Sequence, residues 1–180
     1  MREGSHPDLL VIAASNGENL KLAHRFAAEA RHQGGSAAVL DLTALPLPLF
    51  TPQAQGEPHP EAVAQLEQTL SGATRWVICA PEYNGGIPPV LTSAIAWLSV
   101  QGSDFRALFN GRPVVIATHS GGAGQTMMAG LRLQLAFLGA EVVGRQLVSH
   151  RHNPAKDETI ADLIQRLLAM GLPKSAVQDP

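Results

Sequence analysis

The 180-residue sequence predicts an α/β fold: a five-stranded parallel sheet with helices on both faces. Five short apolar runs alternate with stretches of helical periodicity, the order that builds parallel sheets. The first run, Leu9-Leu10-Val11-Ile12-Ala13-Ala14, is apolar without interruption, as a strand buried on both sides must be. The turns that follow the runs are rich in Gly, Ser, Asn and Pro. No repeat or composition shift divides the chain, so one domain over 1–180 is expected, with its core at about 8–171.

Each element has its own reason. After the first run, Ser15 to Glu18 break the strand, and Asn19 to about Gln33 place Ala23, Phe26, Ala27 and Ala30 on one helical stripe. Gly34-Gly35 stop that helix. Ala37 to Leu42 form the second strand. Pro46 to Pro60 are too proline-dense for regular structure. Glu61 to Leu70 suit a short helix with Val63, Leu66 and Leu70 on one side. Arg75–Ala80 is the third strand, and Pro88-Pro89 open a helix running to about Val100. Val114 to Ala117 form the fourth strand. The Gly-rich segment from Ser120 to Gly124 precedes a helix through Leu138, which Gly139 ends. Glu141 to Val148 make a fifth strand, Lys156 to Met170 a last helix, and a loose tail follows Gly171. Periodicity leaves the strand order open.

Composition removes several function classes. The chain is 45% hydrophobic and 16% charged with a net charge of −2, which suits neither nucleic acid nor an anionic membrane surface. No apolar stretch approaches the ~20 residues that span a bilayer, and the N-terminus lacks a signal-peptide core, so a cytoplasmic protein is expected. Cys79 is alone and falls within a buried strand, where it serves as a small hydrophobe. His24, His32, His59, His150 and His152 lack metal-ligand spacing, and no metal site is expected. Neither a Gly-x-Ser-x-Gly elbow nor a Gly-x-Gly-x-x-Gly turn is present where hydrolysis or a Rossmann site would need it.

Three turns carry the chemistry. Ser15–Asn19, Pro81–Gly86 and Thr118–Gly124 follow the first, third and fourth strands, so they should meet at one edge of the sheet, where such folds bind ligands. Small residues leave their backbone amides open. The first turn leads into a helix N-terminus suited to a phosphate, with Ser15, Asn16 and Asn19 as added donors. Plain N-capping would use the same residue types; the two companion turns favour the phosphate. In the second turn, Glu82 should orient the loop by accepting backbone hydrogen bonds. Tyr83 either shapes a ligand wall or packs at a loop or a subunit contact. His119 has no visible partner and is read as a polar loop residue rather than a proton donor. His150-Arg151-His152 is read as a solvated basic cluster.

Pro81-Glu82-Tyr83-Asn84, followed by Pro88, Leu91, Ala94, Ile95 and Trp97-Leu98-Ser99, resembles the signature of the NADPH-dependent FMN reductase family. The likeness extends loosely over residues 8 to 150 and includes Leu131-Arg132, Leu135 and Leu138-Gly139-Ala140. The resemblance implies a flavodoxin-like three-layer sandwich with strand order 2-1-3-4-5. It implies FMN as cofactor, NADPH or NADH as reductant, and ping-pong transfer to a small-molecule acceptor: free flavin, quinone, azo compound or metal ion. No catalytic side chain is required. FMN would meet Ser15, Asn16, Gly17, Glu18, Asn19 and Leu20; Pro81, Glu82, Tyr83, Asn84 and Gly85; and His119, Ser120, Gly121 and Gly122. A homodimer or homotetramer is implied, with Ile95, Trp97 and Leu98 contributing to the contact, the core, or both, and Arg132 serving helix surface or dimer. The family's phosphate turn reads Ser-x-Arg-x-x-Ser-x-Asn. This chain has the shorter Ser15-Asn16-Gly17-Glu18-Asn19, without Arg and with Glu18, which should turn to solvent or cap the helix. Weaker FMN retention is expected. The alternative is a flavin-binding carrier or sensor, or a flavin-free interaction domain; flavodoxin-type carriers are strongly acidic, and −2 favours the enzyme.

Overall fold

A computed structural model describes residues 7–56, 61–122 and 124–172. The elements run β1 (Leu9–Ala13), α1 (Glu18–His32), β2 (Ala37–Asp41), α2 (Pro52–Gly56), α3 (Glu61–Ser71) and β3 (Arg75–Cys79). They continue as α4 (Pro89–Ser99), β4 (Pro113–His119), α5 (Gln125–Phe137), β5 (Glu141–Val142), β6 (Leu147–Ser149) and α6 (Asp157–Ala169). All strand pairs are parallel, in the order β2-β1-β3-β4-β5, with β6 pairing further along β4. Val11 stands opposite both Val39 and Val77, and Val77 opposite Val115.

Alternation along the strands sends side chains into two cores, one on each face. Leu10, Ile12, Trp76, Ile78, Val114 and Ile116 face a layer containing α3, α4 and α5. Leu9, Val11, Val77, Cys79, Val115 and Ala117 face α1 and α6, which bring Phe26, Ala27, Leu163 and Ile164. A flavodoxin-like three-layer sandwich results. α1 ends as its glycines require: Gly34, at φ 88°, donates to Arg31 O and Gly35 to Ala30 O, closing a Schellman turn.

Three details depart from the sequence reading. The fifth strand is broken into β5 and β6, with Val143 to Gln146 between them. Arg132 on α5 holds that break open, donating to Val142 O, Val143 O and Gln146 Oε1. Arg132 therefore serves its own sheet edge. The proline-rich segment forms a short helix, α2, because Pro52 takes the first helical position and Thr51 Oγ1 accepts the Ala54 N–H; residues 57–60 lie outside the described residues. Ile95, Trp97 and Leu98 are buried in this chain's core, so of the roles considered for them the structure shows the core. Trp97 donates from Nε1 to Pro48 O and meets Phe50 edge-on at 5.2 Å. The loose tail expected after Gly171 falls on 173–180, which lie outside the described residues.

Candidate functional site

The turns after β1, β3 and β4 reach the same rim of the sheet. Side-chain hydrogen bonds tie each to the next. Asn19, almost fully buried at 2% exposure, spends its whole amide on the end of β4. Its Oδ1 accepts the His119 N–H at 2.8 Å and its Nδ2 donates to His119 O at 2.9 Å. Ser120 Oγ accepts the Glu82 N–H at 2.8 Å and lies 2.8 Å from Thr118 Oγ1. Glu82 Oε2 accepts the Met127 N–H at 3.0 Å, joining the second turn to α5. Glu82 thus orients its loop as expected. Asn19 and Ser120 hold the scaffold with their side chains.

The first turn leaves donors open. Gly17 is the N-cap of α1, with no side-chain cap bond, so the plain capping reading is not met. Leu20 and Lys21 donate to Gly17 O, while the amides of Ser15, Asn16, Gly17 and Glu18 find no acceptor among the described residues. Those of Gly17 and Glu18 are orphan donors of a helix start, those of Ser15 and Asn16 belong to the turn before it, and the positive end of the dipole adds to their field. Glu18 turns to solvent and pairs with Lys21 at 2.6 Å. That hydrogen bond holds its carboxyl below the usual range.

The second turn is a tight hairpin. Tyr83 and Gly86 exchange both backbone bonds, at 3.1 and 2.9 Å, around Asn84 at φ 51° and Gly85 at φ 76°. Positive φ at both central positions is the Asn-Gly type I′ geometry. It presents the Tyr83 side chain at the rim, 51% exposed, above buried Pro81. In the third turn, Gly121 and Gly122 have open space where a Cβ would stand. Gly124 is different. At φ 66° its Cβ would lie 2.9 Å from Thr118 Cγ2, so glycine is needed to close the turn.

His119 is less isolated than its sequence suggests: Nδ1 lies 3.3 Å from Ser149 Oγ. Ser149 stands opposite His119 in the β4–β6 register and belongs to the rim, although the sequence reading passes over it. Its place at the end of a fifth apolar run is the available signal. Cys79 is fully buried, which pushes its thiol far up and leaves it inert. The His150–His152 turn is closed by paired backbone bonds between His150 and Asn153, with Arg151 and His152 exposed. No group of three metal-ligating side chains, and no helix long and apolar enough to cross a membrane, occurs among the described residues.

Open amides at a helix start, a flat hairpin and a glycine turn favour an anionic, planar ligand. They provide no acid–base pair, so redox chemistry here must reside in a bound group. A parallel sheet of this order with such a rim defines the flavodoxin-like class. The model of the NADPH-dependent FMN reductase family matches residues 7–154, and the chain belongs to that family. It is an oxidoreductase that uses FMN with NAD(P)H as reductant. A protein from Escherichia coli (strain K12) named quinone reductase is 33% identical over 135 residues, covering 68% of this chain and 70% of its own length. Among solved structures, the fold is similar to FerB, a flavoenzyme NAD(P)H:(acceptor) oxidoreductase from Paracoccus denitrificans, with TM-score 0.69, 19% identity and coverage of 89% and 93% of the two chains. An NADH:FMN oxidoreductase, EmoB, in its apo form gives TM-score 0.70 at 15% identity, covering 91% of this chain and 89% of its own.

Proposed function

We propose that the rim holds FMN and that the protein passes reducing equivalents from NAD(P)H to a quinone-like acceptor. The open amides of Ser15, Asn16, Gly17 and Glu18, with Asn19 and Leu20 beneath them, seat the phosphate. Pro81, Glu82, Tyr83, Asn84 and Gly85 line one side of the ring system and Ser120, Gly121 and Gly122 the other; His119, clamped by Asn19, stands on the phosphate side. FMN held by these turns would supply the redox chemistry that links NAD(P)H to the acceptor. The protein's part is to bind, orient and leave one face of the site accessible. The stitching of the three turns through Asn19, Ser120 and Glu82 carries this reading, because it fixes the rim while leaving the amides of Ser15 to Glu18 open.

A planar acceptor is favoured by the exposed Tyr83 edge and by the quinone reductase named above. Turnover takes place in the cytoplasm, on small molecules. The active form is a homodimer or homotetramer. Its contact is the apolar groove beside the second turn, about 340 Å³, lined by Leu49, Phe50, Ile87, Pro89, Thr92 and Ala96. The deciding experiment is steady-state oxidation of NADPH and NADH by the purified protein with added FMN and a benzoquinone. Turnover that needs FMN and rises with the quinone supports the reading. FMN binding without turnover of either nucleotide leaves a carrier, and no flavin binding at all removes the site.

A further inference from the structure

The proposed phosphate seat is short of positive charge. A phosphate monoester carries close to two negative charges near neutral pH. Within Ser15–Asn19 the only charged side chain is Glu18. Lys21 is held by that carboxylate at 2.6 Å, so the pair adds no net charge. A candidate for the missing cation arrives from another strand. His119 ends β4, and the Asn19 side chain clamps both its backbone N–H and its carbonyl, fixing it beside the first turn of α1.

Hydrogen bonding at Nδ1 decides what Nε2 can do. The Ser149 hydroxyl has one proton, and it donates that proton to Thr118 O at 2.9 Å. The 3.3 Å contact between Ser149 Oγ and His119 Nδ1 is then a bond donated by Nδ1–H. A neutral ring so anchored carries its lone pair on Nε2, which repels an anion; a proton on Nε2 reverses the sign. We infer that His119 is a phosphate-binding residue of this chain, anchored on Ser149 through Nδ1 and taking up a proton at Nε2 when FMN binds. The other groups around it do not supply that charge. Glu18 and Lys21 from α1 form their own pair. Glu82 from the second turn is engaged with the Met127 N–H. His150, next to Ser149, packs its ring against His152 at 6.2 Å. Ser120 and Ser149 are neutral.

The inference rests on the seat proposed above, and riboflavin, which lacks the phosphate, separates the two. Dissociation constants for FMN and riboflavin are measured by flavin fluorescence on the wild-type protein and His119→Gln. The wild type should prefer FMN, and His119→Gln should shrink that preference about tenfold while riboflavin affinity stays unchanged. Calorimetry in two buffers of different ionisation enthalpy, above about pH 7, adds a direct readout. There the free phosphate is already dianionic, so a proton taken up belongs to the protein. Uptake should accompany FMN, be absent with riboflavin and vanish in His119→Gln, and FMN affinity should fall as pH rises. A wild type that prefers FMN without proton uptake, or a variant that keeps the full preference, overturns the role of His119 and leaves the seat standing. Equal binding of FMN and riboflavin by the wild type overturns the seat and this inference with it. The proton measurement needs no variant, so it decides even if His119→Gln does not fold.

Discussion

Asn19 carries more of the site than its place in a polar turn suggests, because its amide meets two backbone groups of His119, far along the chain, at 2.8 and 2.9 Å. Alanine there would leave the His119 N–H and carbonyl without partners. An abandoned polar group in such surroundings costs about 1–3 kcal/mol. Asn19→Ala should therefore lower the urea midpoint by that order with an unchanged m-value, and weaken FMN binding as the first and third turns come apart. Asn19→Asp keeps an acceptor for His119 N–H but loses the donor, so it should fall between. Glu18 gives the opposite kind of prediction. It stands in the first turn of α1, exposed, and its charge opposes an anion at the helix start. Glu18→Lys should tighten FMN binding several-fold in low salt and less in high salt, with riboflavin unaffected. A sub-nanomolar FMN dissociation constant for the wild type would contradict the weak retention expected of a turn without arginine.

Among the elements, the broken fifth strand is where packing overrules pattern. Glu141 to Val148 read as one strand, yet Arg132 takes two carbonyls and a side-chain oxygen across the break. Arg132→Ala should destabilise by about 1–3 kcal/mol, since those carbonyls lose a charged donor; thermal unfolding measures it. On the other side of the break, Asp162 of α6 accepts from Arg166 and Arg145 at 2.7 and 2.6 Å. Those partners, Arg166 foremost, hold its carboxyl below the ordinary carboxylate value. A depressed folded value contributes stability that is complete above the unfolded value, about 3.9, and is lost as pH falls through the folded one. Asp162→Asn should therefore remove part of the loss of urea resistance between about pH 5 and pH 3. An identical acid profile in both proteins would show that the bridges contribute nothing. Such contacts join α5 and α6 to a sheet edge, and no local pattern announces them.

For the whole molecule, legibility follows how local the cause is. The uninterrupted apolar run of β1 and the stripe of α1 announce themselves, because burial on two faces or on one face leaves a period in the sequence. The three turns are visible through Gly and Asn, whose backbone roles are local. The bonds from Asn19 to His119 and from Glu82 to Ser120 are not, since they depend on strands distant in the chain. Quaternary structure belongs to the same non-local class, and the groove beside the second turn is a place to test it. Leu49, 68% exposed, and Phe50, Ile87, Pro89, Thr92 and Ala96 form an apolar groove next to the Tyr83 hairpin. A second copy seated there would cover apolar surface and close over the edge of the flavin rim, coupling assembly to binding. Thr92 points outward from α4 without entering the core, so Thr92→Glu should leave the monomer folded while placing a charge where a partner must lose water. Light scattering after size exclusion should give a smaller assembly for Thr92→Glu than for the wild type, with weaker FMN binding at the same protein concentration. An unchanged mass would move the contact off this face; a smaller mass with unchanged FMN affinity would separate assembly from the flavin site.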